Sequence, residues 1–91
     1  MLRLEFTVDA LKFLQNIERK HAGQIALRLL QLLAVPDAQD VRPLKGALRE
    51  YRRATVGEYR IVFFVEGNLL RVVLIDRRND DEVYKSLKRK R

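Results

Sequence analysis

The sequence predicts an α+β domain with elements in the order β-α-α-β-β-β-α. An antiparallel sheet of about four strands would carry a helical hairpin on one face, and a short helix would close the chain. Three patterns carry this. Residues 1–8 alternate apolar and polar side chains, the period of a half-buried strand. Between residues 10 and 33 run two apolar stripes at helical spacing, parted by a short polar stretch. From residue 48 to 76 come three strand-like segments, the last two joined by Gly67-Asn68.

The first strand sets Leu2, Leu4, Phe6 and Val8 on one face against Arg3, Glu5 and Thr7 on the other. Asp9 then reads as a helix N-cap ahead of Ala10, Leu11, Leu14 and Ile17. The polar, glycine-containing run 18–23 predicts a tight turn, and Ile25, Ala26, Leu29, Leu30 and Leu33 predict a second helix antiparallel to the first. Pro36 ends that helix, because it has no amide hydrogen and clashes with the preceding turn. Residues 35–46 read as a long polar connection. Strands are expected over 48–56, 58–66 and 69–76, the last almost continuously apolar apart from Arg71, as a central strand is. Asp80 or Asp81 caps a final short helix holding Val83, Tyr84 and Leu87.

Ninety-one residues suit a single domain spanning 1–91, and 47% hydrophobic residues exclude a disordered chain. Nineteen Lys and Arg against twelve Asp and Glu give a net charge of +7, which favours a polyanion or an acidic protein as partner. The chain has no cysteine and one histidine, so disulfides and thiolate metal sites are excluded and no cofactor is expected. No apolar run approaches the roughly 20 residues of a membrane span. The expectation is a soluble cytoplasmic protein that meets neither a membrane nor a small-molecule ligand.

Strand parity sorts the candidate site residues. Glu50, Arg52, Ala54 and Val56 share one face, and Tyr51, Arg53 and Thr55 the other; on the next strand Arg60 shares a face with Val62 and Phe64. Arg60 is the one charge between Tyr59 and Val65. A mid-strand arginine among apolar neighbours is costly unless paired or functional. Two readings stand: a salt bridge to Glu50 or Asp76, or a phosphate clamp joined by Arg52, Arg77 and Arg78. Arginine suits the second because its planar fork binds phosphate oxygens two at a time and stays charged. On that reading Arg60→Ala removes activity and leaves the fold intact. Tyr84 is either a core or rim aromatic, or a ring that stacks a base. His21 reads as an ordinary surface histidine, and Asp80-Asp81-Glu82 as cap and dipole partners of the last helix.

Taken together, Leu44-Lys45-Gly46, Tyr51-Arg52, Gly57-Glu58-Tyr59-Arg60-Ile61-Val62-Phe63 and Arg77-Arg78-Asn79-Asp80-Asp81-Glu82-Val83-Tyr84 resemble the RelE/ParE superfamily of type II toxin–antitoxin toxins. The resemblance covers nearly the whole chain in length, element order and charge. It implies a RelE-like fold and a ribosome-dependent endoribonuclease that cuts mRNA in the decoding site without a metal, through attack of a 2′-hydroxyl on the adjacent phosphorus. By position it implies that Arg52 serves proton removal from the 2′-hydroxyl, Arg60 stabilises the phosphorane, Arg78 contacts the phosphate or leaving group, and Tyr84 stacks on the nucleotide. Lys45, Arg53, Arg77 and Lys85 become RNA contacts. The chain departs from the best-known RelE pattern in the strand before Gly57, where lysines give way to Arg52 and Ala54. The implied partners are a cognate antitoxin, the ribosome and mRNA. A ParE-like gyrase inhibitor shares the fold, and a degenerate, antitoxin-binding module is the third alternative.

Overall fold

The computed structural model describes residues 1–46 and 50–77. The expected closing helix around Val83, Tyr84 and Leu87 lies outside the described residues. Within them the chain forms β1 (Arg3–Phe6), α1 (Val8–Asn16), α2 (Arg19–Ala34), β2 (Arg42–Pro43), β3 (Arg52–Val56), β4 (Tyr59–Glu66) and β5 (Leu69–Arg77). The strands make one sheet in the order β1-β5-β4-β3-β2. It is α+β, as expected, but with five strands among the described residues rather than four, and mixed rather than antiparallel. After the helical hairpin the chain enters at the far edge, and the meander β2 to β5 walks back until β5 lies parallel to β1. The additional strand is Arg42–Pro43, inside the stretch read as an unstructured connection. Two residues leave no periodicity to detect, and Pro43, which cannot donate to a ladder, is tolerated because this strand is an edge.

Both helices start earlier than the sequence predicts. α1 is capped by Thr7, whose Oγ1 accepts a hydrogen bond from the Ala10 amide at 3.2 Å, so Asp9 is a first-turn acid and not the cap. α2 begins at Arg19, which reduces the turn to Ile17-Glu18 and places Gly23 inside the helix. The polar residues that suggested a turn face solvent, while His21 and Ala22 are half-buried ahead of Ile25. Both stripes rotate slightly against expectation: Phe13 replaces Leu11 in α1, and Leu32 replaces Leu30 in α2.

Ile25, Leu29, Leu32 and Leu33 pack against Ala54, Tyr59, Ile61, Phe63, Leu70, Val72 and Ile75 to form the core between helices and sheet. The opposite face carries a smaller apolar cluster of Leu44, Tyr51, Val62 and Val73, with Phe64 and Leu74 packed against it. Between residues 57 and 69 two tight loops set the strand register, and Gly67 opens the second with φ of +59°, a conformation that side chains disfavour.

The register of β5 breaks once. Phe63 pairs with Val72 and Val62 with Leu74, so Val73 is an extra residue bulged out of the ladder. The bulge flips parity along the strand: Leu70, Val72 and Ile75 enter the helix-covered core, and Val73 and Asp76 lie on the other face. A bulged residue loses ladder partners, and Thr7 supplies one. Its Oγ1 donates to the Val73 carbonyl at 2.9 Å, while its amide donates to the Val72 carbonyl at 2.9 Å. One threonine therefore caps α1 and satisfies the bulge. Thr7→Val keeps the volume and removes both hydroxyl bonds, and should lower unfolding free energy by about 2 kcal/mol. Thr7→Ser should retain most of it; urea denaturation with an unchanged slope reads both.

Candidate nucleic-acid interface

Register assigns the strand-borne candidate residues to faces. Arg52, Ala54 and Val56 pair with Phe63, Ile61 and Tyr59, so they belong to the helix-covered side. Arg53 and Thr55 pair with Val62 and Arg60 and belong to the open side. Arg52 and Arg60 therefore point to opposite faces of the sheet, and the structure does not gather them around one phosphodiester. The half-buried Arg52 lines a cavity of about 250 Å³ with Asp37, Val41 and Pro43, its Nη1 3.5 Å from the Pro36 carbonyl oxygen.

Arg60 is buried, 6% exposed, and directly opposes Asp76 across the β4–β5 ladder. Its Nη2 donates to Asp76 Oδ2 at 3.1 Å and its Nε to Oδ1 at 3.4 Å, both side chains being less than a tenth exposed. Nη2 also donates to the Arg77 carbonyl at 3.3 Å. Of the pairings the sequence left open for Arg60, the ion pair with Asp76 is present. It exists because the Val73 bulge turns Asp76 to the side that Arg60 occupies. A buried charge of this kind is stabilised by its partner, and truncating Arg60 would remove one side of a buried ion pair.

The remaining candidates divide in the same way. Arg53 is exposed on the open face and directly opposes Arg42 of β2. Like charges placed opposite each other across a ladder repel, and an approaching anion relieves that repulsion. Arg42 is additionally held by its own loop, its Nη1 donating to the Gln39 carbonyl at 2.5 Å. Lys45 is exposed just beyond β2. Arg77 is exposed and pairs with Tyr59, on the helix-covered side. At the other edge Arg71 of β5 is ion-paired with Glu5 of β1. Arg78, Tyr84 and Lys85 lie outside the described residues.

Sequence reading missed two features. Arg42 went unnoticed because its strand was not recognised, although a cation beside an edge proline is a usual way to blunt a sheet edge. His21 is not isolated from the strands, since its ring lies 5.3 Å from that of the buried Tyr59, which also meets Phe13 edge-on at 6.0 Å. Residues 38 positions apart in sequence leave no local signal of such contact.

The open face is thus an apolar and aromatic centre, with Tyr51 and Phe64 edge-to-face at 5.8 Å, flanked by arginines. Among the described residues no helix is long and apolar enough to cross a membrane.

Residues 4–82 match the family model of the ParE toxin of type II toxin–antitoxin systems. No curated protein sequence matches the chain. Among solved structures the chain is similar to the isolated RelE toxin of E. coli, at TM-score 0.76 and 20% identity, covering 99% of this chain and 98% of that one. It is also similar to the archaeal RelE–RelB complex of Pyrococcus horikoshii, at TM-score 0.74 and 21% identity over 86% of this chain and 96% of that one. The RelB–RelE antitoxin–toxin complex of Methanococcus jannaschii gives TM-score 0.69 and 21% identity over 90% and 96%. At these identities the likeness establishes a RelE-like fold.

Arg60→Ala should lower stability by about 3–5 kcal/mol, because one partner of a buried pair is left without the other. The Arg60→Ala/Asp76→Ala double variant should lose less than the sum of the two single variants. A double-mutant cycle from chemical denaturation measures that coupling.

Proposed function

Because the chain belongs to the ParE toxin family of type II toxin–antitoxin systems, we propose that this RelE-like toxin acts in the cytoplasm by cleaving mRNA on the ribosome. The observation that carries the reading is the direct opposition of Arg42 and Arg53 on the face that also holds Arg60, in a chain of net charge +7. Like charges held side by side on an exposed sheet face favour a polyanion as partner.

On this reading Arg42, Arg53 and Lys45 hold the RNA backbone, and Tyr51 and Phe64 give the apolar floor beneath it. The reaction is attack of a 2′-hydroxyl on the adjacent phosphorus, with the bond to the 5′-oxygen breaking to leave a 2′,3′-cyclic phosphate and a 5′-hydroxyl. Arg78 neutralises charge on the phosphorane and Tyr84 stacks on the nucleotide, with Lys85 as a further backbone contact. Fixed guanidinium groups aimed at developing phosphorane charge are stabilisation of the oxyanion-hole kind. Arg52 and Arg77 face the helix-covered side and take no chemical step. The proposed protein partner is a cognate antitoxin whose segment covers the arginine-bearing face, removing charge and access together. The matched structures that contain RelB are complexes of this general kind.

A second reading has its own observation. Arg52 and Arg60 lie on opposite faces, and Arg60 is ion-paired with Asp76. That distribution favours a toxin that acts by binding a protein such as gyrase rather than by chemistry.

Transcript ends mapped after a short induction, with and without translation, decide between them. Translation-dependent cuts within coding regions are expected. Intact transcripts with early replication arrest would give the protein-binding reading instead. The variant Arg53→Ala should weaken engagement of programmed ribosomes severalfold and reduce the slope of log affinity against log salt by about one.

A further inference from the structure

We propose that Arg60 is a positioning residue: with Asp76 it forms a latch that fixes the end of β5, rather than meeting the phosphate itself. Arg60 is the second residue of β4 and Asp76 the penultimate residue of β5, and the two are register partners. The carboxylate takes both the Nε and the Nη2 of the guanidinium, at 3.4 and 3.1 Å. The same Nη2 reaches the Arg77 carbonyl at 3.3 Å. Arg77 is the last strand residue, so the latch holds the backbone at the point where the chain passes to Arg78.

The electrostatics point the same way. An arginine that meets an anion must present net positive charge along an open edge of its fork. Here the charge is balanced at contact distance by a carboxylate, and the side chains are 8% and 7% exposed. In such a poorly solvated position the pair is held strongly and offers an approaching phosphate little net attraction. Its arrangement also depends on residues far away in sequence. Asp76 reaches this face because Val73 is bulged, and Thr7 binds the Val73 carbonyl. A line of contacts thus runs from the start of α1 through the bulge to the exit of β5.

The inference uses the proposed nuclease reading only for one of its readouts. The first readout is independent of function: amide hydrogen exchange over residues 74–77 of the folded full chain, followed by mass spectrometry. Asp76→Asn and Arg60→Lys should each speed exchange there at least tenfold relative to the rest of the sheet. The second is the single-turnover rate at saturating programmed ribosomes, compared per folded molecule at a temperature below every melting point. Both variants should lose at least tenfold in maximal rate with an unchanged half-saturating concentration. The exchange Arg60→Lys/Asp76→Glu, which shortens one arm and lengthens the other, should recover most of the loss.

Full activity and unchanged exchange in Asp76→Asn, with Arg60→Lys inactive, would overturn the proposal and assign the phosphate to Arg60. A paired exchange no better than Arg60→Lys alone would overturn it too, and remains informative if Asp76→Asn folds poorly. A parent protein that cuts no mRNA sinks the nuclease reading alone; growth arrest on induction then replaces cleavage, and hydrogen exchange still decides the latch.

Discussion

One extra residue in the interior strand β5 governs the arrangement of both faces of this protein. β5 must pair with β1 on one side and β4 on the other while feeding apolar side chains to the helix-covered core. Strict alternation from Leu70 would place Leu74 and Asp76 in that core and Ile75 outside it. The bulge at Val73 reverses the second half of the strand, so that Ile75 is buried under the helices and Asp76 crosses to the opposite face. Such an insertion is stable only if its stray carbonyl finds a donor. Thr7 provides it while capping α1, which makes the start of the first helix and the shape of the last described strand one structural unit.

The face that results is neither the polar surface expected of an open sheet nor a bare apolar one. Its centre is the cluster of Leu44, Tyr51, Val62 and Val73, and its cations are arranged unequally. Arg60 and Arg71 are matched with Asp76 and Glu5, while Arg42 and Arg53 stand directly opposite each other. Matched pairs fix geometry and leave little field; opposed like charges leave a field for a partner to neutralise. The distinction separates residues that shape the site from residues able to meet a polyanion. Net charge or a count of arginines cannot make it.

Much of this was legible in the chain itself. Alternation over residues 1–8 and 59–65, and helical stripes ending at Pro36, reflect burial of one face per element, which is a local property and leaves a local trace. Element boundaries were less legible where polar residues sit on the outer side of a helix: the run at 18–23 has the composition of a turn but forms the first turns of α2. The two-residue β2 and the bulge leave no trace either, since each is defined by the partner across the ladder.

The sequence by itself determined the α+β class, the order of its long elements, the basic character and the resemblance to RelE/ParE toxins, because each follows from composition, period or a contiguous motif. Tertiary structure alone decided that β1 runs parallel to β5, that Arg52 lies across the sheet from Arg60, and that Arg60 pairs with Asp76. Those outcomes depend on register, and register is settled by which strands become neighbours and where one of them carries an extra residue.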